Sequence, residues 1–196
     1  MADSCMSYPP RFQWESSSGT FSRSQSNNCG PTGAAQQIDY YLGRDGTTGI
    51  ERLRDSIGMA HGVPTSAFQQ ADMLKARGIA AEVMVIDSMD QLDKLVGTEG
   101  DRPVGIGILM SRLRPSTRGH TFEGWHRITL LKRGRRKIQG VYRRGYIYTD
   151  PNFRPPGSLY RTDPMKGHRW INRRELEYAF LGVDPSFAIV PLKRKP

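Results

Sequence analysis

The 196-residue sequence predicts an α+β domain in which N-terminal helices pack on a twisted antiparallel β-sheet. The period of the apolar residues carries that reading: it is helical up to Gly78 and then gives way to short runs enriched in Val and Ile. Gly-containing turns separate the late runs, which suits hairpins in a meander better than the long crossovers that parallel strands need. No repeat or linker interrupts the pattern, so one core is expected.

Residues 1–28 are rich in Ser, Asn, Pro and Gly without period and read as an extended leader draped over a body that begins at Cys29. From Pro31 to Leu42 the pattern turns helical, with a proline suited to the first turn and Gly43 closing it. A second helix is expected from Thr48, where Glu51 completes a capping box and Ile50, Leu53 and Ile57 recur at helical spacing. A third starts near Ser66, paired with Gln69 in the same motif, and stops at Gly78. Ala80 to Ile86 and Val104 to Met110 read as strands with a short helix from Ser88 to Val96 between them. His126 to Lys132, Lys137 to Val141 and Tyr146 to Thr149 read as three consecutive strands, Gly134 turning the first pair and Gly145 entering the last. A helix from Asn172 to Leu181, with Glu175 in capping position, precedes a last strand from Phe187 to Val190. The domain is thus expected over 29–191, followed by a basic tail, 192–196, with Lys193, Arg194 and Lys195.

With 37% hydrophobic and 24% charged residues, the composition is globular. No window approaches the roughly 18 consecutive apolar residues of a membrane span. Met1 to Pro10 lack the basic region and apolar run of a secretory signal. The expectation is a protein without membrane insertion, cytoplasmic or assembled into a phage particle. Cys5 and Cys29 are the only cysteines, too few for a disulfide framework, and both read as free thiols. They and the four histidines form no C-x-x-C or H-x-x-x-H pair, so neither a metal nor another cofactor is expected.

The net charge of +10 points to an acidic partner. Lys132, Arg133, Arg135, Arg136, Lys137, Arg143 and Arg144 fall within thirteen residues, and residues 124–149 contain no Asp or Glu. The expectation is a basic hairpin turning at Gly134, in which Lys132, Arg133, Arg135, Arg136 and Lys137 dock an acidic protein or anionic polymer away from the cleft. Nucleic acid ranks lower as a partner, because the stretch lacks the interleaved aromatics of single-strand readers.

A cysteine at a helix start sits in the field of the helix N-terminus, which stabilises a thiolate, and Cys29-Gly30-Pro31 has that placement. Gly30 is expected to let substrate backbone approach, and Gly33, Ala34 and Ala35 to let another element pack closely. The bland alternative is a buried cysteine at a helix start. A reactive thiolate needs an imidazole from a different element. His61 lies in a Gly-containing turn, His168 in the polar stretch Met165 to Arg169, and His120 in a Gly-rich loop. His126 opens an apolar strand that can fix its ring direction, so it is the best placed, with His120 its competitor. Asp150, at the end of Tyr146 to Thr149 and before Pro151, can accept a hydrogen bond from the other ring nitrogen, although a turn aspartate before proline is also common.

The run Asn28-Cys29-Gly30-Pro31-Thr32, followed by a helix ending Tyr40-Tyr41-Leu42-Gly43, resembles the nucleophile segment of the bacteriocin-processing, double-glycine-leader type of papain-like cysteine peptidase. The order of Gly124-Trp125-His126-Arg127-Ile128-Thr129-Leu130 and then Tyr148-Thr149-Asp150-Pro151 is similar to that family's histidine and aspartate segments. The resemblance spans roughly residues 25 to 190 and implies a papain-like fold with Cys29, His126 and Asp150 as nucleophile, base and orienting residue. The family supplies an oxyanion-hole glutamine six positions before the cysteine, where this chain has Arg23. Gln25, four before, is the replacement expected, with Asn27 or Asn28 able to substitute. A cysteine peptidase or amidase acting on a glycine-containing or cell-wall peptide follows from this reading. The alternative is a non-catalytic docking component, for example of a phage virion, that keeps the fold and uses its basic surface.

Overall fold

The computed structural model of the chain describes residues 11–12, 27–43, 49–98, 102–118, 121–152, 168–182 and 185–192. Cys5, Arg23, Gln25, His120, the Thr48 end of the expected second capping box and the tail Lys193, Arg194 and Lys195 lie outside the described residues.

Helix α1 spans Cys29–Leu42 and is buried from Gly30 through Tyr40. It starts two residues earlier than the periodicity suggests, which makes Cys29 its first residue and Pro31 its third. Enclosure on all sides means that its polar side chains need partners, since an unpaired buried polar group costs about 1–3 kcal/mol. Gln37 Nε2 donates to the carbonyls of Pro103 at 3.0 Å and Ile189 at 3.3 Å, and Gln37 Oε1 accepts from Gln70 at 3.1 Å. Asp39 accepts two 2.6 Å bonds from the Arg11 guanidinium, whose backbone N–H donates to Gln36 Oε1 at 2.8 Å. With Phe12 buried beside it, this part of the N-terminal segment is fastened to α1.

Helix α2 spans Ile50–Asp55 and is entered from Gly49, which makes no side-chain cap. Helix α3, Ala67–Lys75, has the expected Ser66–Gln69 capping box with both bonds made. Helix α4 spans Met89–Val96, α5 is the short Pro115–Arg118, and α6 spans Arg173–Phe180 with Asn172 as its cap.

Six strands, β1 Ala81–Val85, β2 Val104–Leu109, β3 Trp125–Ile138, β4 Val141–Thr149, β5 Arg169–Asn172 and β6 Phe187–Pro191, form one antiparallel sheet in the order β1-β6-β2-β3-β4-β5. Ala34, Ile38, Leu53, Ala71, Leu74 and Ile189 join helices α1, α2 and α3 to one face. Ile106, Ile108, Ile128, Tyr148, Leu92, Leu176 and Phe180 join α4 and α6 to the other. In β2 the isoleucines alternate with Gly105 and Gly107, which leave room for polar side chains. A Cβ on Gly105 would lie 2.7 Å from Gln70 Nε2, and one on Gly107 2.7 Å from Arg127 Nη1.

The expected turn at Gly134 is not there, and the three expected strands between His126 and Thr149 are two. β3 runs unbroken through the basic residues, and the chain reverses at Gln139 and Gly140, both with positive φ. Charged side chains mask alternation in a ribbon that is solvated on both faces, so the sequence pattern suggested a break where pairing continues. Gly134 and Gly145 face each other in register. Their roles differ: nothing lies within 4 Å of a Cβ on Gly134, whereas one on Gly145 would meet the Ile171 carbonyl oxygen at 2.2 Å and the Trp170 ring at 2.5 Å. β5, which brings Trp170 there, was not legible because its four residues carry no period. Gly145→Ala is expected to lower stability by about 1–3 kcal/mol through overpacking, and Gly134→Ala by less than about 0.5 kcal/mol, in denaturant titrations of both variants.

Candidate active site

Cys29 begins α1, where the first backbone N–H groups of the helix have no intrahelical acceptor and the local field favours an anion. The turn that presents it is held from beneath by Arg54 of α2, itself buried. Arg54 Nε donates to Asn28 Oδ1 at 3.0 Å, Nη2 to the Asn27 carbonyl at 2.7 Å and Nη1 to the Ala60 carbonyl at 3.2 Å. Asn27 Nδ2 donates to the Gly62 carbonyl at 2.7 Å, tying the same turn to the loop before α3. Gly30 serves a different purpose from the close substrate approach expected of it. A Cβ there would fall 2.7 Å from Thr65 Cβ, so its bareness admits Thr65. Gly33 does what its size suggests, since Gln70 and Thr129 close on it at 3.1 and 3.4 Å.

His126 is the second residue of β3, and Asp150 directly follows β4. The β3–β4 register, with Thr129 opposite Thr149, brings the two side chains together. Asp150 Oδ1 lies 2.7 Å from His126 Nε2, with both residues buried. Asp150 also accepts from the Asn152 backbone N–H at 2.9 Å and from Arg169 Nη1 at 3.4 Å. Arg169 is fixed in turn by the carbonyls of Arg118, at 2.6 Å, and Thr117. With Nε2 engaged, Nδ1 is the ring nitrogen left for the Cys29 thiol, which hydrogen-bonds the imidazole. The Phe122 ring packs edge-on to the imidazole, centroids 5.9 Å apart.

Burial works against charge on both members of this pair, and their interactions overcome it. For Cys29 the His126 hydrogen bond and charge, then the Arg127 backbone and guanidinium, bring the thiol below its ordinary value. For His126 the Asp150 carboxylate and then Cys29 push the imidazolium up to about 10. Arg54 and Arg127 are lowered by burial and partly restored by the thiolate, which places two further cations in its field. The surroundings of Cys29 are densely packed, yet the residue keeps partial access to solvent. The arrangement can hold a thiolate–imidazolium pair at neutral pH, with a proton stored on the ring nitrogen that faces the sulfur.

Of the residues singled out from sequence, Cys29, His126 and Asp150 are brought together, while Gln25 and His120 lie outside the described residues. His61 is exposed and pairs with Asp55 at 2.8 Å. Arg54, Arg127 and Arg169 were missed. Arg54 lies in a charged helix, Ile50-Glu51-Arg52-Leu53-Arg54-Asp55, where nothing local separates a buried arginine from its exposed neighbour Arg52. Among the described residues no group of three or more His, Cys, Asp or Glu is placed to hold a metal ion.

Comparison with known proteins finds no matching family model and no matching curated protein. Solved structures do match. A double-glycine-motif protease from an AMS/PCAT transporter, solved with the leader peptide, superposes with a TM-score of 0.50 at 17% identity, over 83% of this chain and 84% of that one. A candidate C39-like peptidase from Bacillus anthracis gives a TM-score of 0.53 at 17% identity, over 87% and 90%. The chain has the papain-like fold of the double-glycine peptidases. In that papain-like fold, the segment of α1 and the β3–β4 pair form the frame on which Cys29, His126 and Asp150 sit.

Because the folded imidazole value is raised, its stabilisation is full below the ordinary histidine value of about 6.5 and is lost as pH rises through about 10. Asp150→Asn removes the largest favourable contribution to the imidazolium. The His126 ring resonances, followed by NMR against pH, are expected to titrate lower than in the parent protein; an unchanged midpoint would show that Asp150 does not hold the charge.

Proposed function

We propose that the chain is a cysteine peptidase in which Cys29 is the nucleophile, His126 its acid and base, and Asp150 the residue that orients His126. The observation that carries this reading is the continuous chain from thiol to imidazole to buried carboxylate, with His126 Nε2 2.7 Å from Asp150. Cys29, His126 and Asp150 form a mutually charged set, with His126 and Asp150 buried, in which each charge is costly without the others. This weighs against the reading as a purely non-catalytic docking component.

In the proposed reaction the Cys29 thiolate forms a bond to the scissile carbonyl carbon, and the π electron pair moves to oxygen. The Cys29 backbone N–H at the head of α1 donates to that oxyanion, with an amide from the preceding segment, Gln25 or Asn28, as the second donor. As the C–N bond breaks, the imidazolium gives its proton to the leaving amine, leaving a thioester. Water then attacks as His126 takes its proton, the C–S bond breaks, and the thiolate and imidazolium are restored with release of the acid. The exposed ring of Phe122, edge-on to His126, offers apolar surface to a bound peptide.

The substrate class we propose is a peptide cleaved after glycine residues, in keeping with the leader peptide held by the structurally similar double-glycine protease. Cell-wall cross-link peptides are the second class to assay. Cleavage of synthetic peptides containing Gly-Gly, read by mass spectrometry, is expected in the parent protein. It should fall by at least about a thousandfold in Cys29→Ala and His126→Ala, and persist in His61→Ala. Cleavage that survives in Cys29→Ala, or no cleavage of either peptide class by protein with an intact thiol, would overturn the proposal.

A further inference from the structure

The basic stretch has a geometry that the peptidase reading does not use. β2 pairs with β3 only as far as Leu130, and β5 pairs with β4 only from Gly145 onward. Between those limits the residues paired from Arg135–Arg144 to Ile138–Val141 form a two-stranded ribbon with no strand on either side among the described residues. Arg135, Arg136, Lys137, Tyr142, Arg143 and Arg144 are all exposed there. Register sets Arg135 directly against Arg144 and Arg136 directly against Arg143. Opposed residues share a face and successive pairs alternate, so each face of the ribbon carries one arginine pair.

Like charges placed directly opposite on a sheet are about 5 Å apart at Cβ and destabilise it. Among the described residues none of these four arginines meets a carboxylate. Asp93, at the root of the ribbon, is already committed: it accepts from the Tyr146 hydroxyl and from Arg173 Nε at 3.3 Å, and it lies 3.7 Å from Arg133. Arg173 and the exposed Arg174 line a hollow with Arg143 and Arg144, four arginines against the single carboxylate of Glu177, so the net positive surface continues onto the start of α6. A single acidic face on a partner protein would answer one arginine pair and leave the other unpaired. A groove with anionic walls on both sides answers both.

We propose that the ribbon between Gly134 and Gly145 inserts into the major groove of double-stranded DNA and grips the phosphates of both walls through the pairs Arg135/Arg144 and Arg136/Arg143. Four residues per strand make a ribbon about 13 Å long. The major groove, about 12 Å wide and 8.5 Å deep, admits a two-stranded ribbon. Arginine's fork suits phosphate oxygens, and phosphate contacts are independent of sequence. The shortage of aromatic side chains, which counts against a single-strand reader, has no bearing on phosphate gripping. Arg135 lies nine residues along β3 from His126, about 30 Å in an extended strand, so a duplex held there leaves the thiol uncovered. This docking is independent of the cleavage chemistry.

The test is fluorescence anisotropy of the full chain with a labelled duplex of about 24 base pairs, between about 50 and 300 mM salt. The parent protein is expected to bind more tightly than to a single strand of equal length. Changing Arg135, Arg136, Arg143 and Arg144 together to Ser is expected to weaken binding at least roughly 30-fold at the lowest salt and to flatten the log–log salt slope by about 3–4. Cys29 alkylation should be unchanged, and the melting temperature equal or higher because the repulsion is gone. If the fourfold variant does not fold, R136S/R143S, which strips one face, is expected to flatten the slope by about 2. The proposal is overturned by absence of duplex binding at about 50 mM salt, by parent-like affinity in the folded variants, or by equal affinity for single strands. Tighter binding of polyglutamate than of the duplex would overturn it in favour of an acidic protein partner.

Discussion

Burying a helix on every side is the constraint from which the rest of this molecule follows. α1 lies between the sheet and helices α2 and α3, with Arg11 and Phe12 against it, and nothing from Gly30 to Tyr40 reaches solvent. Such a helix cannot tolerate long charged side chains except where each is answered, as Asp39 is by Arg11. It also cannot shift without breaking the Gln37 bonds to Pro103 and Ile189, which lock it to the sheet. Its N-terminus is therefore a fixed point, and Cys29 is the residue at that point. The bare Gly33 lets Gln70 and Thr129 come close, and that closeness holds the start of α1 against β3.

Charge completes what packing begins. A thiolate in a crowded setting is opposed by desolvation, and this site answers it with the helix N-terminus, an imidazolium and two arginines. The imidazolium is itself opposed by burial and rests on Asp150, whose second oxygen rests on Arg169. Each charge is tolerable only because the next one is present. The cost of removing one member is accordingly larger than the worth of any single contact.

How much of this could be read from sequence depended on whether a residue stood beside a structural boundary. Cys29 precedes Gly30-Pro31, His126 opens an apolar run, and Asp150 precedes a proline, so each was marked by a neighbour whose backbone preference is strong. Arg54 and Arg169 carry no such mark, because only tertiary packing distinguishes a buried arginine from the exposed ones that outnumber it. The same reasoning explains the misplaced hairpin turn. Gly134 suggested a reversal, yet the positive φ values fall at Gln139 and Gly140, and the arginine-rich segment between is extended without any alternation of apolar residues to show it. The Ser66–Gln69 capping box was legible because both its bonds are local, whereas β5 owes its strand conformation to a partner far away in sequence.

The central claim is that Cys29 exists as a thiolate paired with the His126 imidazolium at neutral pH. Its most direct test is the rate of iodoacetamide labelling against pH in the native protein, with Cys29 and Cys5 resolved by peptide mass spectrometry. Cys29 is expected to reach its plateau well below the value of about 8.5 at which a free thiol titrates, and His126→Ala should move that limb upward. A Cys29 profile that coincides with that of a free thiol, or a thiol that stays unreactive until the protein unfolds, would contradict the pairing.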